Sequence, residues 1–193
     1  MGRSTVSPIK QPDGVTCGPS ALKLALAALG KRKSLDTLID LCKTNRNGTS
    51  TQNLVRAVNK LGLSALLVEH ATLSHLQSAL RHKSKQPRAI VVDYLYDRDE
   101  RGKLISSSGH WAMVRSFQSN KSRIVLLDSG TGKRKSYSWG DFRTRWTDFD
   151  LKRKRVGRRF KMVRDWQRQL MIVISENHHN LPRFKGGKVC LPN

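Results

Sequence analysis

The chain has 193 residues, with 37 lysines and arginines against 14 aspartates and glutamates, for a formal net charge of +23. That length holds one real core and is short for two domains, and no apolar run reaches the roughly 18 residues needed to cross a bilayer. The start, Met1-Gly2-Arg3-Ser4-Thr5-Val6, has no apolar signal-peptide region, and Val6 stands where a myristoylation signal has Ser or Thr, so the expectation is a cytoplasmic protein.

In chain order, the first informative stretch is Gln11-Pro12-Asp13-Gly14-Val15-Thr16-Cys17-Gly18-Pro19-Ser20, followed at once by an apolar helical run. It sets a cysteine at a helix start, where unpaired N–H groups and partial positive charge favour the thiolate, which is the nucleophile. Gln11 is placed to offer a side-chain N–H to a developing oxyanion beside the N–H of Cys17. Gly18 leaves room for a substrate, and Pro19 is tolerated in a first helical turn. The plain alternative is a buried structural cysteine at a helix cap.

The helix runs over 17–29, with Leu22, Ala25, Leu26 and Leu29 on one face and Gly30 ending it. Ser34 to Lys43 reads as a second helix, with Cys42 in the core, and Asn45 to Ser50 as a polar loop. The Asn47-Gly48-Thr49 sequon in that loop carries no weight without a secretion signal. Thr51 reads as the cap of a helix through Leu61. Leu63 to Glu69 is a strand, Thr72 to Arg81 a helix, Ala89 to Tyr96 an apolar strand, and Asp97 to Ser108 a charged loop overhanging the cleft.

Gly109-His110-Trp111-Ala112-Met113-Val114-Arg115 alternates like a half-buried strand, with Gly109 giving clearance beside His110. The next strand-like run, Ser122 to Leu127, ends in Asp128-Ser129-Gly130-Thr131-Gly132. If the two runs form a hairpin, Asp128 lies near His110 and can accept its ring N–H, fixing the tautomer. Read alone, Asp128 is a turn-initiating aspartate. His70, His75 and His82 lie in or near a polar helix, and His178 and His179 in a tail.

These residues resemble the C39-type peptidases and their stand-alone C39-like relatives, papain-like cysteine proteases that process bacteriocin leader peptides. The likeness rests on Gln11-x-Asp13-Gly14-x-Thr16-Cys17-Gly18-Pro19, on Gly109-His110-Trp111-x-x-Val114, and on Val125-x-x-Asp128 followed by Gly130, and covers about residues 8–146. It implies Cys17 as nucleophile, His110 as base and acid, Asp128 as its orienter and Gln11 in the oxyanion hole. It also implies that the loop at Thr49 and Ser50 flanks the cleft and borders the substrate, with simple helix capping the plainer reading of these two residues. One departure is Ser129, where such relatives often have Pro after the aspartate. With no span of its own, the chain is not the full exporter that some relatives form.

Trp139 to Trp146 reads as a short aromatic helix and Leu170 to Ile174 as a last strand. Between them lies a basic segment, about 150–168, expected as an insertion or long hairpin. Its charge suits a salt-sensitive polyanion partner, nucleic acid or another anionic surface. Few aromatics interleave with these charges and no known nucleic-acid motif appears, which argues against a dedicated nucleic-acid reader. The charge can equally steer an acidic peptide to the cleft.

The expected architecture is α+β in a papain-like fold, with N-terminal helices against an antiparallel sheet. Residues 1–175 form one domain and 176–193 a flexible tail, exposing Cys190. In that tail Lys185-Gly186-Gly187-Lys188 invites comparison with the paired glycines at which leader peptidases cut. Three widely spaced cysteines make neither a disulfide framework nor a zinc pattern, and no metal or cofactor is expected. The functional expectation is a cysteine peptidase acting on a peptide or protein. The alternatives are an acyltransferase or amidase on the same fold, and a basic binding protein that does not need the triad.

Overall fold

The structure, a computed structural model, describes residues 6–81, 87–157 and 159–192. The readings on Met1 to Thr5, on His82 and Lys83, and on Arg158 lie outside the described residues. Three helices come first: α1 (Cys17–Ala28), α2 (Leu35–Leu41) and α3 (Thr51–Lys60). Gly30, at φ 74°, turns the chain out of α1 in a conformation that side chains disfavour. Ser34 Oγ caps α2 by accepting from Thr37 N–H at 3.1 Å. The cap of α3 is Ser50 rather than Thr51: Ser50 Oγ accepts from Asn53 N–H, and the Thr51 N–H goes to the Asp150 carboxylate.

The rest follows as β1 (Ser64–Val68), α4 (Leu73–Arg81), β2 (Arg88–Leu95), β3 (Gly109–Gln118), β4 (Arg123–Asp128) and β5 (Lys133–Ser138). Then come α5 (Trp139–Arg145), β6 (Thr147–Val156), β7 (Arg159–Arg168), β8 (Met171–Ser175) and β9 (Lys188–Cys190). Seven strands make one antiparallel sheet in the order β5-β4-β3-β2-β8-β1-β9, and β6 and β7 make a separate two-stranded ribbon.

Strand alternation sends side chains to two cores. Val91, Trp111, Met113 and Ile172 meet the buried faces of α1, α2 and α3 on one side. Val92, Tyr94, Ala112 and Leu126 meet Leu76 of α4 and Phe142 and Trp146 around α5 on the other. The fold is the expected mixture of helices and antiparallel sheet, but helices cover both faces, not only the N-terminal side. β5 escapes sequence pattern because its Lys133, Arg134, Lys135 and Ser136 sit on an exposed edge and show no apolar alternation.

The loose tail expected from 176 is corrected as well. His178–Asn180 forms a turn of 3-10 helix, and β9 pairs with β1 through Leu66↔Val189 and its neighbours. Cys190 is accordingly half-buried against the core rather than exposed. Gly187 packs on Leu66 at this sheet edge, so the paired glycines are part of the fold and not a dangling peptide. Among the described residues, no helix is long and apolar enough to cross a membrane.

Candidate active site

Two turns build the site, each organised by one aspartate. Asp13 Oδ1 accepts from the N–H groups of Val15 and Thr16 and from Thr16 Oγ1, all at 2.9 Å, which folds the loop that delivers Cys17 to the first position of α1. These bonds also hold the Asp13 carboxyl below its ordinary range. Cys17 is 6% exposed. Asp128 closes β4 in the same manner, accepting from Gly130 N–H, Thr131 N–H and Thr131 Oγ1.

Asp128 also faces His110. On the paired strands β3 and β4 both side chains leave the same sheet face, and His110 Nε2 lies 2.8 Å from Asp128 Oδ1. A turn aspartate and a histidine partner are thus one residue, not competing readings. With Nε2 engaged, Nδ1 is the ring nitrogen left for the Cys17 thiol, the other hydrogen-bonding neighbour of the ring. Burial draws the imidazole down, but its bonds to Asp128 and Cys17 prevail and it is pushed up to about 9. Asp128 responds oppositely: burial raises it, and the bonds from His110 and Thr131 hold it well below the usual carboxylate range.

Gln11 is held against the Asp128 turn. Its N–H donates to Ser129 O, and Ser129 Oγ donates to Gln11 Oε1, both at 2.8 Å. Its Nε2 donates one hydrogen to Asp13 O at 2.6 Å. The departure at Ser129 therefore has a use: a proline there has no hydroxyl to fix the glutamine. The structure brings Cys17, His110, Asp128 and Gln11 into one neighbourhood.

Two glycines serve a different purpose from the one expected. A Cβ on Gly18 would lie 2.6 Å from Thr49 Cβ, so the missing side chain lets the 44–50 loop press on α1 rather than admitting substrate. Trp111 Nε1–H fastens the same loop by donating to Thr49 O at 2.9 Å. A Cβ on Gly109 would collide with the Asp148 carboxyl, so the clearance beside His110 is filled by a second acid.

Sequence reading missed that acid and its partners. Asp93 on β2 and Asp148 on β6 meet beside Cys17 and His110, and Asp150 lies next to them. Burial, and the neighbouring Asp148, push Asp93 well above its usual value. Tyr96 was also missed. Its hydroxyl donates to Asp128 Oδ2 at 2.9 Å, its ring stands 4.6 Å from the His110 ring, and Lys135 Nζ sits 3.4 Å from its centroid. These contacts join distant segments, and only the tyrosine at the end of an apolar strand hinted at them.

Among the described residues no cluster of His, Cys, Asp or Glu has metal-ligand geometry. A constellation of thiol, imidazole and carboxylate fits nucleophilic acyl chemistry.

The sequence profile of the Peptidase C39 family matches residues 5–155. Among solved structures, the chain is similar to the peptidase domain of Streptococcus ComA, a bifunctional ABC transporter of a quorum-sensing pathway. The TM-score is 0.59 at 18% identity, covering 89% of this chain and 99% of that one. It is similar also to a double-glycine-motif protease from an AMS/PCAT transporter, solved with its leader peptide, with a TM-score of 0.58 at 14% identity over 90% and 94% of the two chains. The Streptococcus mutans ComA peptidase domain gives a TM-score of 0.50 at 18% identity over 88% and 98%. At these identities the likeness is one of fold. No curated protein matches the sequence.

Proposed function

The chain belongs to the Peptidase C39 family, and from that premise we propose that it is an active cysteine peptidase of the cytoplasm that cuts a peptide of leader type. The observation that carries the reading is the 2.8 Å contact of His110 Nε2 with Asp128, on a ring whose other neighbour is Cys17 at a helix start. Cys17 gives its proton to His110 and its sulfur attacks the carbonyl carbon of the scissile bond. The carbonyl oxygen takes the negative charge, and the Cys17 N–H with the second hydrogen of Gln11 Nε2 receives it. His110 then protonates the leaving amine, which departs and leaves a thioester. Water, deprotonated by His110, attacks that thioester and releases the acid. Asp128 holds the imidazole in one tautomer throughout.

The leader-type substrate rests on the relative solved with its leader peptide, and the family alone supports no finer choice. The test combines alkylation of Cys17 with a peptide panel carrying and lacking paired glycines. Iodoacetamide should label Cys17 faster than Cys190, and His110→Ala should slow this by about tenfold or more. Cys17→Ala should abolish cleavage, and Gln11→Ala should lower kcat by about 100-fold. Labelling of Cys17 no faster than Cys190 and indifferent to His110 would sink the reading. Transfer of the acyl group to an amine instead of water would assign the acyltransferase alternative.

A further inference from the structure

The β6–β7 ribbon stands outside the main sheet, and its two faces differ. Directly paired residues share a face, so the register puts Phe149 with Trp166, Leu151 with Arg164, Arg153 with Met162, and Arg155 with Phe160 on one side. That side carries arginines and large apolar groups and no carboxylate. Leu151, Trp166, Phe160 and Met162 are 40%, 47%, 56% and 59% exposed. The guanidinium of Arg153 lies 4.1 Å from the Phe160 centroid and that of Arg164 4.6 Å from the Phe149 centroid. Linear order hides this interleaving of rings and charges; pairing reveals it.

The other side holds Asp148, Asp150 and Asp165 with Lys152, Lys154 and Lys161, and only at the tip Arg159 beside Val156. Near the base it is spent on the body: Asp148 fills the gap at Gly109, and Asp150 and the buried Gln167 bond Thr51. The arginine face lies opposite that packing and meets the body where Arg164 donates to Ser106 Oγ at 3.4 Å.

We propose that the arginine face of this ribbon docks on an anionic lipid bilayer. Charge complementarity requires a negative partner, and the composition of the face selects its kind. A bilayer interface accepts aliphatic and aromatic side chains together with cations, and basic residues near an anionic surface strengthen the attachment. Guanidinium is more weakly hydrated than ammonium and so suits a half-dry interface, and the ribbon's lysines, Lys152, Lys154 and Lys161, all lie on the opposite side. A nucleic-acid backbone would draw on cations of both faces alike and leave Leu151 and Met162 without a purpose. Docking holds the cleft beside the ribbon near membrane-borne peptides, yet it does not depend on the peptidase reading.

The experiment is co-sedimentation of the Cys17→Ala protein with phosphatidylcholine vesicles, with and without phosphatidylglycerol, while following Trp166 emission. Binding should require phosphatidylglycerol, and the emission should shift to the blue, a shift absent in Trp166→Phe. Phe160→Ser with Met162→Ser, both on the surface, should weaken binding by about tenfold. Arg153→Ala with Arg155→Ala should weaken it more than Lys154→Ala with Lys161→Ala, although each pair removes the same charge. Equal effects of the two pairs, or no effect of the serine pair, would reduce the binding to general charge and overturn the proposal. So would preferred binding of duplex or single-stranded DNA that vesicles fail to displace.

Discussion

Asp128 is the residue on which most of the site turns. It receives His110 Nε2, the Tyr96 hydroxyl and the turn donors of Gly130 and Thr131 while fully buried, so its charge is satisfied on both oxygens. That charge holds the His110 proton to about 9 against a burial that works the other way. The histidine starts from 6.5 when unfolded, so its stabilisation is complete below that value and fades as pH rises toward about 9. The depressed Asp128 has the opposite sense: its contribution is present above 3.8 and is lost as pH falls further. In Asp128→Asn the carboxylate is gone while burial remains. The His110 titration, followed by NMR of the ring, should then move down by more than one pH unit, about 1.4 kcal/mol. A midpoint still near 9 in that variant would show that Asp128 does not support the imidazolium.

At the scale of elements, what was legible and what was not follows from the range of the contacts. The Asp13 turn, the start of α1 and the Asp128 turn are each made within a few residues, and motif reading reached them. Tyr96 to Asp128, Ser129 to Gln11 and Asp93 to Asp148 join separate strands and loops, and no local pattern announces them. The two glycines were legible as close approaches, but not what approached: Thr49 at Gly18 and Asp148 at Gly109. Gly109 gives the sharper test, since it ties the base of β6 to the strand that carries His110. Gly109→Ala should cost about 1–3 kcal/mol by displacing a carboxyl pinned to Asp93. Adding Asp148→Ala should return a good part of that loss, with a coupling above about 0.5 kcal/mol in urea unfolding. Strict additivity of the two changes would mean that the acid does not occupy the space.

Across the whole molecule, carboxylates are scarce, and several are turned inward. Asp93, Asp128 and Asp148 stand around the cleft, and the other 11 acidic residues face 37 lysines and arginines, which is the origin of the charge of +23. The outer shell is then strongly basic, while stability rests on a sheet whose centre, β2, β8 and β1, is almost wholly apolar. A sheet of that kind needs its edges closed. One edge, β5, is covered in lysine, arginine and serine; the other is closed by β9, whose three residue pairs protect β1. Asn59 Nδ2 reinforces that edge by donating to Cys190 O at 3.1 Å. Deleting residues 187–193 removes these bonds and bares Leu66 and its neighbours. It should lower stability by about 2–3 kcal/mol, at roughly 1 kcal/mol for each lost hydrogen bond. For a chain of this size that is a fall in Tm of about 5–10 °C. Because β9 lies at the edge far from β4, the Cys17 alkylation rate measured well below the transition should stay within about twofold of the full chain. An unchanged Tm would return the segment to a dispensable tail. A lost alkylation rate with a folded sheet would mean that the far edge and the cleft are mechanically joined.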